Sequence, residues 1–409
     1  MGRPAPWPSL FGRRDVLAGA ACLAVAGRSV AAEPIDLVAI ERQRVIRAAD
    51  ACLARAPLTI AAIPAPRSPG NRHDYYSEGD YWWPDPANPN GPYVRRDGFS
   101  NPAKFDGHRD ALIRFGMDVP SLTAAWLVSQ DARYARHAVA HLKAWCVDPE
   151  TRMTPNLVHA QAIIGVNQGR AIGIIDTLQI VEVARAVELL GRRHTPGYDD
   201  GTRRAVEAWF RDYLAWLTTS APGREERDQA NNHGTCWLLQ AAAFASLTGD
   251  KAVLDSARTR LMEVVIPRQI APDGSQPLEL ARTKPFSYSL FNLDVLAGAC
   301  QLLSGGSADL WRFATADGRG IGPAIDFMAR YIRDKARWPY PRDVEYFDAL
   351  PVRQPSLLFG GLALGRADWI SLWKSLEPDP TVPEIVRNFP IRQPLLWVPP
   401  GGSHNGMHT

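Results

Sequence analysis

The sequence is poor in the features that assign a class at a glance. No uninterrupted apolar run reaches the ~18 residues that cross a bilayer, so no spanning helix is expected. Cysteine is scarce, five in 409 residues. Outside the N-terminal leader only Cys52, Cys146, Cys236 and Cys300 remain, too widely spaced for a zinc motif. They allow three full disulfide pairings, but in a chain with this much core buried thiols are the plainer expectation. There is no Gly-x-Ser-x-Gly elbow for a nucleophile. His137 and His141 have i, i+4 spacing, but no glutamate completes a His-Glu-x-x-His zinc motif. "GRGIG" at 318–322 lacks the dinucleotide spacing and follows no strand. No metal ligand set is read anywhere.

Excess charge is also missing. The chain has 46 basic and 43 acidic residues. Residues 1–32 hold four arginines and one aspartate, so residues 33–409 carry 42 of each sign. A nucleic-acid binder normally shows a basic excess, and that class is not expected. A polyanionic ligand would need a local basic site instead. The leader itself has an Arg13-Arg14 pair, a short apolar run from Val16 to Ala26 and a small-residue cleavage site at Val30-Ala31-Ala32. It reads as an export signal, with the twin-arginine route favoured. The expected product is a periplasmic monomer of one domain, residues 33–409, free of the membrane once the signal is removed.

Helical periodicity is abundant and strand signals are few. Residues 236–247 are apolar nearly all round, which predicts a helix buried on every side. Thr248-Gly249-Asp250 ends it, with glycine where a cap wants it. The next segment has one apolar stripe: Val253, Ala257, Leu261 and Val264. The same pair occurs 119 residues earlier, where a buried run through Trp126 turns at 129–131 into a stripe of Tyr134, Ala138, Leu142 and Trp145. A buried helix, a tight turn and an amphipathic return helix is the unit of a double ring, and such units stack because one alone cannot hide its apolar face. Further helices are predicted at 36–55, 171–191, 199–219, 288–304, 321–335 and 355–376. The fold class is all-α: an (α/α) toroid, an incomplete barrel of six to seven helical hairpins with long loops over its cleft. The proline-rich tail from Glu377 is expected to wrap the barrel.

Two stretches interrupt this pattern. Residues 62–104 form a long loop rich in proline, glycine and aromatics, and such loops tend to be functional. At 231–233, Asn231, Asn232 and His233 open the apolar helix. One asparagine caps a helix; three polar residues in a row exceed that need. A helix start facing a cleft favours an anion through its free N–H groups and dipole. An Asn amide would then donate to a carboxylate, and His233 would exchange a proton. The acidic pairs Glu225/Glu226 and Asp199/Asp200 read as solvated turns.

"NNHGTCW", followed about fifty residues later by "ARTKPFSYS", resembles the alginate lyase superfamily of toroidal polysaccharide lyases, closest to polysaccharide lyase family 38. The "GDYWWPDP" loop and "NQGRAIG" at 167–173 are similar to that family too. The resemblance spans roughly residues 70–300. It implies a β-eliminating lyase with Asn232, His233, Arg282 and Tyr288 as its catalytic residues, an acidic polysaccharide as its partner and no redox or organic cofactor. Asn231, Asn167, Gln168, Arg170 and Lys284 are candidates for sugar or carboxylate contacts. Tyr81, Trp82 and Trp83 are candidates for stacking on sugar faces.

The implied chemistry suits these residue types. A 1,4-linked polyuronate breaks when the proton on C5 is removed and the C4 oxygen leaves. Neutralising the neighbouring carboxylate stabilises the developing charge, as an oxyanion hole does; Asn232, Arg282 and the helix start suit that task. In mannuronate or glucuronate both groups leave from one side, so Tyr288 alone could act as base and then acid. In guluronate they leave from opposite sides, with His233 as base and Tyr288 as acid. Ionising a free tyrosine at pH 7 costs about 4 kcal/mol, which a nearby Arg282 would reduce. Mannuronate-rich alginate is the first expectation for substrate, with β-1,4-glucuronan as the alternative. Two other classes remain open: a glycoside hydrolase on the same fold, for which Asp74, Asp80, Asp85 and Glu279 would supply two carboxylates, and a non-catalytic polysaccharide-binding protein.

Overall fold

The structure, a computed structural model, describes residues 35–305 and 308–398; the leader read in residues 1–32 lies outside them. Helix α1 (Leu37–Leu53) precedes the aromatic loop, which holds strands β1 (Tyr76–Glu78), β2 (Trp82–Trp83) and β3 (Val94–Arg95). Helices α2 (Gly107–Ser129) and α3 (Ala132–Leu142) make the first hairpin. Strand β4 (His159–Ala162) and a 3-10 segment, Ala171–Ile180, lead into α4 (Val181–Gly191). Next come α5 (Asp200–Thr219), α6 (Ala221–Arg227), α7 (Asn232–Thr248), α8 (Lys251–Arg260), and the short α9 (Ile266–Gln269) and α10 (Pro277–Leu280). The chain continues through α11 (Pro285–Leu303), α12 (Ile321–Arg333), α13 (Pro355–Leu364), α14 (Ala367–Ser375) and α15 (Pro383–Arg387). Strand β1 pairs in parallel with β4, and β2 pairs antiparallel with β3.

The helices form two layers. Inner helices α2, α4, α7, α11 and α13 pack in succession, and α3, α8, α12 and α14 return outside them, with α5 covering α7. Side-chain pattern sets the layer. Every residue of α7 from Gly234 to Ala245 is buried, and every residue of α11 from Ser289 to Gln301. Outer α12 buries one stripe, including Ile321, Ile325, Met328 and Ile332, and wets the rest. This is the expected all-α open toroid. Among the described residues five inner helices carry the arc, against the six to seven hairpins predicted. Helix α2 is apolar and long enough to cross a membrane by composition, yet 72% of its most apolar window is buried among its neighbours. Cys52, Cys146, Cys236 and Cys300 are free and buried, as expected.

Three local differences from the sequence reading have physical causes. The segment predicted as one helix over 355–376 is two, because Gly365 takes a left-handed conformation (φ +68°) and ends α13. Residues 171–180, expected as regular helix, wind as a tighter 3-10 turn run where Gly173 presses on Ala160. After α8 a π-helical turn, Leu261–Val265, inserts an extra residue, so Val265 is buried in place of Val264. Its counterpart Lys143–Val147 follows α3 at the matching position, so the repeated unit includes this irregularity.

Close approach of the inner helices depends on small residues. A Cβ on Gly116 of α2 would lie 2.4 Å from the Gln179 carbonyl oxygen. Gly116→Ala should therefore destabilise the fold by about 1–3 kcal/mol, although in an exposed helix the same change stabilises by about 1 kcal/mol. The urea midpoint of unfolding reads the sign directly.

Candidate active site

A cavity of about 330 Å³ opens at the centre of the inner layer. Its wall is drawn from distant segments: Asn231, Asn232 and His233 at the start of α7, Arg282 and Tyr288 around the start of α11, and Tyr81 and Trp82 from the aromatic loop. Arg170 also lines it, with Arg109 from α2 and Arg387 from the tail. Of the twelve candidates read in the sequence, these walls therefore unite Asn231, Asn232, His233, Arg282, Tyr288, Tyr81, Trp82 and Arg170.

The start of α7 answers why three polar residues stand there. Asn231 is the cap, its Oδ1 accepting from the His233 N–H at 3.3 Å. Asn232 gives its backbone N–H and its side-chain Nδ2 to the two oxygens of Glu279, both at 2.7 Å. An anion does sit at this helix start, but it is the chain's own. The first N–H groups, expected to meet a substrate carboxylate, are engaged within the chain: that of Asn232 by Glu279, buried on α10, and those of His233 and Gly234 by Asn231. Burial pushes its carboxyl up, and the bonds from Asn232 pull it back. The remaining hydrogen of the Asn232 Nδ2 is what this residue can offer a ligand.

His233 has a partner that the sequence reading misplaced. Glu226 is not a solvated turn residue; it is fully buried, and its Oε1 lies 2.7 Å from His233 Nδ1. Burial pushes the Glu226 carboxyl up while the imidazole pulls it down. With Nδ1–H donating to this carboxylate, Nε2 keeps a lone pair for proton abstraction. Glu226 stands seven residues before His233, two helical turns in a continuous helix, but the break between α6 and α7 hides that relation in the sequence.

Tyr288 is held by two polar groups. Arg282 Nη2 donates to its hydroxyl at 3.1 Å, and the Tyr81 hydroxyl lies 2.8 Å from it. The Arg282 guanidinium also sits 4.2 Å from the centre of the Tyr288 ring. Burial nevertheless wins: the phenol is pushed up, with Arg282 and Tyr81 opposing. Desolvation thus outweighs the help expected from Arg282. Arg282 itself is shared, since Asp97 accepts from it at 3.1 Å. Tyr81 touches Tyr288 through its hydroxyl, a different use from stacking on a sugar.

Asn167, Gln168, Trp83 and Lys284 lie outside the cavity wall. Asn167 closes a turn, its Oδ1 accepting from the Ile163 N–H at 3.1 Å, and Gln168 is exposed. Trp83 donates to the Phe99 carbonyl and packs under Arg96. Lys284 is buried between Glu345 and Glu384, at 3.0 and 2.9 Å. It ties the start of α11 to the tail. Arg387, which no local signal marked, binds Asp80 at 2.7 Å, and Arg109 binds the same carboxylate at 2.6 Å. These cations hold the Asp80 carboxyl well below its usual range.

A central cavity in a helical toroid that unites an imidazole, a phenol, a guanidinium and an amide defines a polysaccharide lyase. The chain belongs to the alginate lyase family, whose model matches residues 59–338. A crystal structure of an alginate lyase from Bacteroides ovatus is 30% identical, with a TM-score of 0.77 over 90% of this chain and 94% of that one. A variant of alginate lyase A1-III complexed with a tetrasaccharide is 16% identical and shares the fold, with a TM-score of 0.55 over 87% of this chain and 94% of that one. No curated protein matches the sequence.

The Glu226 contact yields a test. Glu226→Gln keeps the shape but removes the charge that fixes the imidazole tautomer. On a substrate for which His233 is the base, its kcat should fall about ten- to a hundredfold, with KM and thermal unfolding little changed. Steady-state kinetics beside a melting curve would show this; wild-type kcat in the variant would leave Glu226 a packing residue.

Proposed function

We propose that the protein cleaves a 1,4-linked polyuronate by β-elimination, with mannuronate-rich alginate as its substrate. One observation carries the reading: the Tyr288 hydroxyl, between Arg282 at 3.1 Å and Tyr81 at 2.8 Å, faces the cavity that Asn232 and His233 also line. A uronate in this cavity meets donors for its carboxylate from Asn232 and Arg282, which stabilise charge as it develops. Tyr288 protonates the departing O4. For a syn substrate such as mannuronate, Tyr288 also removes the C5 proton; for guluronate, His233 removes it from the other face. The Bacteroides ovatus relative, described as an alginate lyase, supports alginate ahead of glucuronan.

The hydrolase alternative is disfavoured by the state of the acids. Asp80 is bound by Arg109 and Arg387, and Glu279 by Asn232. Asp74 and Asp85 accept from nearby backbone N–H groups, at Asn71 and Ala87, outside the cavity. Among these four carboxylates no pair is left to flank a glycosidic bond. The export signal read in residues 1–32 suits a polymer met in the periplasm, and fractionation of expressing cells tests that location.

The activity test is an ultraviolet assay for the unsaturated uronate, run on polymannuronate, polyguluronate, glucuronan and hyaluronan. Absorbance should rise fastest with polymannuronate; chain shortening with no absorbance would mean hydrolysis, and binding with neither would mean a non-catalytic protein. Tyr288→Phe should lose at least about a hundredfold in kcat.

The raised Tyr288 phenol also sets the pH response. It is protonated at neutral pH, so the base form is the minor one. On polymannuronate, kcat/KM should climb as pH rises above neutral. If His233 serves as base on polyguluronate, that alkaline climb is absent. Parallel pH profiles on the two polymers check this sign.

A further inference from the structure

Five guanidinium groups line the cavity, and four are already neutralised. Arg95 and Arg282 share Asp97, Arg109 binds Asp80, Asp106 and Asp176, and Arg387 binds Asp80 and Glu384. Arg170 differs. Among the described residues no carboxylate lies within ion-pair distance of it. Its Nε donates to the Gln161 carbonyl at 2.8 Å and one Nη to Gln161 Oε1 at 3.0 Å. Burial lowers it to about 10, and Asp176 and Asp80, both beyond ion-pair distance, only partly oppose that.

The surroundings hold this group in place. Gln161 takes a left-handed backbone conformation (φ +50°) that is unusual for a residue with a side chain, and there its carbonyl and its amide both face Arg170. A Cβ at Gly79 would come within 2.9 Å of the Arg170 Nη2 and 2.6 Å of Trp82, so only glycine leaves room for the pair. The guanidinium lies 5.7 Å from the centre of the Trp82 ring.

Arg170 also stands at a junction. A second hollow, of about 460 Å³, adjoins the cavity and shares Arg170 and Ile172 with it. Its other walls include Val158, Pro222 and Glu225, so among the described residues Arg170 is its only cation and Glu225 its only acid. An acidic polymer leaving the reaction centre in this direction meets one positive group, next to an aromatic ring, with space beyond.

We propose that Arg170 is the carboxylate clamp of a second subsite: it takes the acid group of the uronate beside the one being cleaved, as the polymer passes from the catalytic cavity into the hollow. This rests on the polyuronate reading above. A planar guanidinium with donors left over suits a carboxylate, and the Trp82 face suits the sugar ring.

The test is calorimetric titration of mannuronate tetrasaccharide into the full folded chain carrying Tyr288→Phe, with residue 170 either wild type or substituted, so that binding is read without turnover. Arg170→Gln should weaken affinity about tenfold, as loss of one charge-assisted contact implies. Arg170→Lys should recover part of it, because the charge returns. If Lys fails to recover any, Arg170 merely holds the Gln161 loop and the proposal falls. The fully methyl-esterified tetrasaccharide should bind wild type and Arg170→Gln alike; an equal tenfold gap with the ester would also overturn it. Unchanged affinity in Arg170→Gln, in an enzyme whose wild type cleaves polymannuronate, overturns the subsite and leaves the lyase. Arg170-dependent binding by a wild type that never cleaves overturns the lyase and leaves the subsite.

Discussion

The buried carboxylate of Glu279 holds the two halves of the site in register. It accepts from the backbone and the side chain of Asn232, so α10 is fastened to the start of α7. Arg282 follows Glu279 by three residues, and Tyr288 by nine. The group that fixes Asn232 and His233 therefore also fixes where the guanidinium and phenol begin. A desolvated acid with one good set of donors has a strong reason to stay on them, because leaving them unpaired costs more than an ordinary hydrogen bond. The helix dipole adds to the preference. Beneath this contact lies an amide network: Gln269 accepts from Thr235 and Asn292 and donates to the Asn231 carbonyl. Helices α7, α9 and α11 are thus joined by polar bonds in an otherwise apolar interior.

Most of the cavity's charge is internally balanced. Asp80 and Asp97 between them engage Arg109, Arg387, Arg282 and Arg95. The balance keeps buried guanidinium groups ionised without a ligand, and it limits how tightly any one of them can grip a passing carboxylate. Selectivity for an acidic sugar then depends on the donors that remain free: the second Asn232 hydrogen, the outer face of Arg282 and the Arg170 fork.

The helical layers were legible in the sequence because burial on all sides and burial on one stripe leave different periodicities. The repeated hairpin at an offset of 119 residues was legible for the same reason. Even the Gly365 break had a signal, since its context matches the glycine stop at Gly249, where both take a left-handed cap. The candidate site was half legible. Asn232, His233, Arg282 and Tyr288 stood out by type and grouping, and the cavity contains all four. Their partners did not. Glu226 looks like any charged turn residue until the bend between α6 and α7 folds it under His233, and Arg387 sits in a tail with no helical or motif context. Lys284, conversely, sits between Arg282 and Tyr288 in the sequence but points away toward Glu345 and Glu384. Local pattern reports which face of a helix is dry; it does not report which charges from other segments will meet there.

The tail closes the central wall. Residues from α15 onward supply Arg387 and Asn388 to the cavity wall, and Gln393 and Trp397 bond to Glu182 in the inner layer. Without this stretch the central wall has a gap, and Asp80 keeps Arg109 but loses Arg387. The chamber is thus complete only when the tail is docked, and a molecule clipped before α15 is left with an open centre.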